Sequence, residues 1–182
     1  MSSFELQPTL SGADLRLRPL AAGDFDALFA VASDPAIWAV HPANDRWQKP
    51  VFQRFFDEAL ASGGALVAID PATGRLIGSS RYDFGRAGPG EIEIGWTFLS
   101  RDYWGGAMNA VLKRAMLSHA FRFVDRVIFV VGEHNRRSRR AMEKIGGHLT
   151  ERIVEAQMAG ANARHVVYAI DRETFAKGPL SN

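Results

Sequence analysis

Apolar and polar positions are most regularly spaced between Glu91 and Phe123, and the rest of the chain can be placed around that stretch. From Glu91 to Leu99 the residues alternate, with Ile92, Ile94, Trp96 and Phe98 on one side and Glu91, Glu93, Gly95 and Thr97 on the other. Alternation of β-branched and aromatic side chains predicts a strand. A polar break at Ser100-Arg101-Asp102 leads into a small-residue turn, Trp104-Gly105-Gly106-Ala107. The period then lengthens. Met108, Val111, Leu112, Ala115 and His119 share a face, with Asn109, Lys113, Ser118 and Arg122 outside it, the pattern of an amphipathic helix. A strand feeding a helix through such a turn leaves unpaired N–H groups at the helix start, which suits a phosphate-bearing ligand.

The flanking pattern supplies the other elements. Leu15 to Leu20 reads as a short strand ended by Pro19, and Asp24 reads as the cap of a helix packing Phe25, Leu28, Phe29 and Ala32. Asp34 to Pro50 carries three prolines and reads as irregular, before a helix from about Val51 to Ala61. Ala65 to Asp70 and Leu76 to Phe84, separated by Pro71-Ala72-Thr73-Gly74, form a hairpin that returns through a loop into the Glu91 strand. Arg126 to Val131 is a near-continuous apolar run, as in a strand buried on both faces. Two last strands are expected at His148 to Val154 and His165 to Ile170, with Glu155 to Arg164 as a loop between them.

Composition narrows the chemistry. At 182 residues the chain is expected to form one domain, with its core from about residue 15 to 170. It has no cysteine, which excludes disulfides, thiolate metal sites and cysteine nucleophiles. Its five histidines have no metal-ligand spacing, so no metal is expected. The first ten residues lack the pattern of a signal peptide, and no apolar run approaches membrane-spanning length. A cytoplasmic protein without a membrane partner is expected. The net charge of +2 does not by itself argue for nucleic acid. The one dense basic cluster, Arg136-Arg137-Ser138-Arg139-Arg140, is read as a solvated helix face or as a partner of a ligand's phosphates, with nucleic acid third because no stacking-aromatic or helix-turn-helix pattern accompanies it.

With these residues in place, the chain resembles the GNAT superfamily of acyl-coenzyme A-dependent N-acyltransferases, especially the branch of ribosomal-protein N-terminal acetyltransferases. Tyr103-Trp104-Gly105 resembles the Tyr-Trp-Gly of that branch, and the slot of the pyrophosphate loop falls on Trp104 to Asn109. Ala107 and Asn109 stand where the family usually has smaller residues. A second match is Asn135-Arg136-Arg137-Ser138 through Glu143-Lys144-Ile145-Gly146, similar to the family's Asn-x-x-Ser helix. Asn135 is also a good N-cap, and Gly146 is the expected residue past a helix end. The resemblance implies an α+β fold, a mixed and mostly antiparallel twisted sheet with helices on both faces. It further implies acetyl transfer from acetyl-CoA to an amine, by a monomer or homodimer.

The resemblance assigns roles residue by residue. Phe98 and Leu99 would pair with the pantetheine arm. Trp104, Gly105, Gly106, Ala107, Met108 and Asn109 would cradle the pyrophosphate, and Asn135 would hold the coenzyme arm. The tyrosine that many members carry as general acid is replaced by Met142, so Ser138 is the candidate partner of the leaving sulfur. Glu93 is the candidate base and Glu91 the runner-up, although both could be cross-strand ion pairs. Trp38, His41 and Trp47 are candidate acceptor contacts, or a loop pinned to the core by its aromatics. The expected acceptor is a protein or peptide α-amine. A small amine such as an aminoglycoside, polyamine or amino acid is the alternative, and a non-catalytic acyl-CoA-binding module is a third reading.

Overall fold

The computed structural model describes residues 3–181. Eight strands form one sheet in the order β1-β2-β3-β4-β5-β6-β8-β7. The strands are β1 (Leu10–Ser11), β2 (Arg16–Pro19), β3 (Ala65–Ile69), β4 (Leu76–Asp83), β5 (Glu91–Leu99), β6 (Arg126–Gly132), β7 (His148–Met158) and β8 (Ala161–Asp171). Every neighbouring pair is antiparallel except β5 with β6. Six helices pack against it: α1 (Phe25–Ala32), α2 (Pro35–Trp38), α3 (Lys49–Ser62), α4 (Met108–Ala120), α5 (Arg136–Lys144) and α6 (Arg172–Lys177). This is the expected α+β arrangement, and the helices are divided between two apolar layers. Leu28, Phe52, Phe55 and Phe56 from α1 and α3 meet Val67 and Phe98 on one side. Leu112, Met116 and Leu117 of α4, with Met142 of α5, meet Ile92, Ile94 and Phe129 on the other.

Five local expectations need correction. Strand β5 does not keep one alternation along its length. Its pairing with β4 shifts register between Ser79 and Arg81, and Trp96 takes a positive φ of 52°. The extra residue of such a bulge moves every later side chain to the opposite face. Ile92 and Ile94 therefore face α4, while Trp96 and Phe98 face α1 and α3. Helix α4 is also turned relative to the expected face. Lys113, expected outside, is only 2% exposed, because Leu112, Met116, Leu117 and Ala120 set the buried stripe and carry it inward.

Asp24 does not cap α1. Its carboxylate turns back to accept from the Ala21 N–H and from both terminal nitrogens of Arg18 at 2.8 Å. The stretch from Asp34 to Pro50 is not wholly irregular either. Asp34 caps the short α2 by accepting from Ala36 N–H, with Pro35 at the first helical position. The expected loop from Glu155 to Arg164 is instead the end of a long hairpin, with β7 and β8 paired to Met158↔Ala161. Ala159 and Gly160 make its two-residue turn, with φ of 48° and 78°.

Candidate acyl-transfer site

The parallel pairing of β5 with β6 lasts only from Glu91↔Arg126 to Glu93↔Ile128. Beyond Glu93 the two strands part, and a cavity of about 620 Å³ opens between them. Ile94 to Leu99 form one wall and Phe129 to Gly132 the other. Gly105, Gly106 and Asn109 close the end at the start of α4, and Asn135 and Ser138 face it from α5. Among the residues singled out in the sequence, Glu93, Ser138, Phe98, Leu99, Trp104, Gly105, Gly106, Asn109, Asn135, Trp38 and His41 all line this one cavity. Ala107 and Met108 lie beside it without lining it, and exposed Trp47 is outside it.

At the α4 end the geometry suits an anion. Gly105 needs its left-handed φ of 75°, whereas Gly106 has no positive φ and open space where a Cβ would stand. The small residue at 106 is thus not required by the chain itself. Ala107 occupies the N-cap of α4 and offers no side-chain cap, so the first-turn N–H groups are left for a ligand. Trp104 Nε1 donates to the Leu99 carbonyl at 3.0 Å and holds the turn against the end of β5, so that carbonyl is already engaged. The Arg137 guanidinium lies 4.2 Å from the Trp104 ring centre and donates to the Ile37 carbonyl, tying α5 to α2 across the cavity. Within the basic cluster, Arg139 serves structure by binding Tyr168 Oη and the Glu133 carbonyl, while Arg140 lines the cavity.

Asn135 realises the capping role: its Oδ1 accepts from the Ser138 N–H at 3.1 Å, and it is 3% exposed. The Ser138 hydroxyl is half-buried, faces the cavity and has no hydrogen-bonded partner among the described residues. Met142 also lines the wall and can donate no proton.

Glu93 stands where the strands divide. It is fully buried and held by Arg86, whose Nε and a terminal nitrogen reach its two oxygens at 2.9 and 2.6 Å. Burial pushes the carboxyl up, against the opposing pull of Arg86. Glu91 is outside the cavity and engaged with the Gly88 N–H and the guanidiniums of Arg152 and Arg126. Glu91 is thus engaged in ion pairs with two other strands.

Sequence reasoning missed several residues at this end. Lys113 reaches the cavity from α4, donating to Thr97 Oγ1 at 2.6 Å with its ammonium 5.4 Å from the Phe129 ring centre. Burial pushes it down to about 7, only partly offset by the Glu93 charge. Arg46, Arg86, Met158 and His165 also line the cavity. None of them belongs to a motif, and only the fold assembles them. His41 accepts from the Ala43 N–H through Nδ1, and burial beside Arg46 pushes it down to about 3, leaving it neutral. Trp38 is 2% exposed and donates to the Ala32 carbonyl, so its body belongs to the apolar layer.

A forked parallel strand pair, a turn of small residues and an uncapped helix start together suit a phosphate-bearing ligand. The family comparison agrees. Residues 14–148 match the acetyltransferase (GNAT) domain, and the chain belongs to that family. It is an acetyl-CoA-dependent acetyltransferase. An acetyltransferase from Agrobacterium tumefaciens is 27% identical, with a TM-score of 0.66, over 91% of this chain and 95% of that one. RimJ from Mycobacterium smegmatis, solved with CoA-disulfide, is 17% identical with a TM-score of 0.71, over 92% and 86%. The spermidine N-acetyltransferase of Vibrio cholerae, solved with CoA and spermine, is 15% identical with a TM-score of 0.68, over 90% and 99%. No curated protein sequence matches the chain. Among the described residues there is no cluster of His, Asp and Glu able to hold a metal ion. No helix among them is long and apolar enough to cross a membrane.

Proposed function

We propose that the protein acetylates a primary α-amine, such as a peptide or protein N-terminus, with Glu93 taking the proton and Ser138 assisting the leaving sulfur. The observation that carries this reading is the position of Glu93 at the closed end of the fork, in the same cavity as the uncapped start of α4. Acetyl-CoA would bring the acetyl thioester, with its pantetheine arm along β5 and its pyrophosphate against Gly105, Gly106 and the first turn of α4. The amine nitrogen then bonds to the acyl carbon as the C–S bond breaks. One proton leaves nitrogen for Glu93 through a water, and the Ser138 hydroxyl donates a hydrogen bond to the departing thiolate.

Proton chemistry favours an α-amine over a lysine. An α-amine of pKa about 7.7–8.0 is roughly 10–15% neutral at pH 7, against about 0.04% for an amine near 10.4. Glu93 is itself tied to Arg86, so it suits an acceptor that needs little help to lose its proton. The test is release of free thiol from acetyl-CoA against peptides with free α-amines, peptides whose only amine is a lysine, and polyamines. Turnover confined to free α-amines is expected. Turnover with spermidine alone would overturn the acceptor assignment, and coenzyme binding without any turnover would make this an acyl-CoA-binding module.

A further inference from the structure

Arg46 and Arg86 line the cavity outside the basic cluster of α5, and Arg81 lies behind them. The Arg46 guanidinium lines the cavity, 4.5 Å from the Phe55 ring centre and 5.5 Å from that of Trp38. Those two rings hold it in place, yet it makes no hydrogen bond or ion pair among the described residues. Arg81 is 5% exposed, its Nε and one terminal nitrogen have no partner, and its guanidinium stands 4.3 Å from the Trp96 ring centre. Arg86 lies 4.9 Å from the same ring, and Glu93 alone neutralises it. Asp45, Glu58 and Asp83 act on Arg46 or Arg81 only through space. Arg86 and Arg81 both act on the cavity carboxylate Glu93, and the Arg81 charge in turn disfavours that of Arg46.

A desolvated guanidinium without a bonded anion is costly. The guanidinium fork matches a carboxylate in two parallel hydrogen bonds. Arg46, stacked and unbonded at the cavity wall, is the residue placed to make them.

We infer that the acceptor carries a carboxylate within a few bonds of its reactive amine, and that Arg46 binds it against the positive field of Arg81. Free amino acids and peptides beginning with Asp or Glu share this chemistry. Polyamines do not, and the three arginines repel them. This inference rests on the acetyl-transfer reading, and it names the acceptor class for the same site.

The test compares each free amino acid with its amide, and peptides beginning with Asp or Glu with those beginning with Asn or Gln, on the wild-type protein and on Arg46→Met. Methionine keeps the contact with Phe55 and Trp38 but removes the charge. For carboxylate-bearing acceptors, Arg46→Met should raise KM about tenfold to a hundredfold, the range for a hydrogen bond to a charged group. Its kcat and acetyl-CoA affinity should hold within a fewfold, and the weaker uncharged acceptors should be unaffected. Preference for the free acids would identify an amino acid acceptor, and preference for the Asp and Glu peptides a peptide acceptor. Either outcome supports the inference. Equal turnover of acids and amides by the wild-type protein would overturn it while leaving acetyl transfer intact, and that comparison stands even if Arg46→Met fails to fold. Should no amine turn over, calorimetry of glutamate against glutamine on the coenzyme-loaded protein separates the two readings. Arg46-dependent binding of glutamate alone would uphold the carboxylate site and sink acetyl transfer. Equal or absent binding would overturn the carboxylate site.

Discussion

The end of the cavity at the start of α4 is built mainly from backbone: a turn of glycines, an uncapped helix and the parting edges of two strands. The opposite end is built from side chains that come from far apart in the chain, including Arg46 before α3, Arg86 after β4, Glu93 on β5, Lys113 on α4 and His165 on β8. On the proposed reading the backbone cradle would take the pyrophosphate and pantetheine arm of acetyl-CoA, a task that tolerates much change in side chains. A side-chain assembly binds what distinguishes one relative from another. Substitutions should therefore separate the two ends. Changes at the Glu93 end should alter turnover and acceptor choice, while changes at the α4 end should alter coenzyme affinity alone.

The largest expected effect is at the fork. Glu93→Gln keeps the shape but removes the proton acceptor, so turnover should fall by about 10²–10⁴ with little change in coenzyme affinity. The substitution also deprives Arg86 of its anion, but Arg86 retains 29% side-chain exposure and can be hydrated. Calorimetry with acetyl-CoA alongside thiol release checks both halves. If coenzyme affinity falls as steeply as turnover, the two ends do not act separately.

The second effect is on stability. Lys113 is buried with the Thr97 hydroxyl as its hydrogen-bond partner among the described residues, and its amine is pushed down to about 7 from an ordinary 10.5. The unfolded chain then binds the extra proton between those pH values, so folding stability gains as pH rises from about 7 to 10.5. Below that window the amine is charged in both states and the cost of burying it is present in full. Lys113→Met should stabilise the protein at pH 7 by on the order of a few kcal/mol, and by much less at pH 10.5. Denaturant midpoints at the two pH values measure this. An equal difference at both would mean that Lys113 titrates normally.

How far the sequence could be read follows the same division. The turn at Trp104 to Asn109 and the Asn135 helix were legible, because each is a contiguous run whose residue types are set by local backbone geometry. At the Glu93 end, Glu93, Trp38 and His41 were singled out, but Arg46, Arg86, Lys113 and His165 were not, because they are ordinary polar residues until the fold brings them together. Lys113 was hidden by its neighbour: it directly follows Leu112, and its long stem passes as an apolar residue at the edge of the helical stripe. The β5 bulge was hidden because the positive φ falls on Trp96, a bulky residue rarely found there, rather than on adjacent Gly95. The hairpin end at Ala159-Gly160 lacked the Asn-Gly or Asp-Gly signal that usually marks a two-residue turn.

Ser138 sits between the two ends and sharpens the boundary. Its N–H is already satisfied by Asn135, while its hydroxyl is unengaged and faces the cavity. Ser138→Ala should therefore barely change stability, and it should lower turnover about tenfold to a hundredfold if the hydroxyl assists a thiolate of pKa near ~8.5. A more acidic acyl-thiol leaving group should restore part of the loss. Full activity would leave water or the α5 N–H groups as the proton source.

The smallest effect is expected at the turn, where two adjacent glycines should respond differently. Gly105 is held at a φ of 75°, so Gly105→Ala should cost stability, about 1–2 kcal/mol for a side chain forced into the left-handed region, whatever is bound. Gly106 has no such constraint and open space above it, so Gly106→Glu should leave the melting temperature near that of the wild type. Its carboxylate would instead project where the pyrophosphate is expected and repel it. Coenzyme affinity should then fall at least tenfold, about 1.4 kcal/mol, while kcat at saturating acetyl-CoA and the order of preferred acceptors stay as they are. Titration of both variants with acetyl-CoA, beside thermal melts, tests the contrast. If Gly106→Glu binds coenzyme as tightly as the wild type, the glycines only turn the chain, and the pyrophosphate must be held elsewhere, with Arg140 on the facing helix the next residue to substitute.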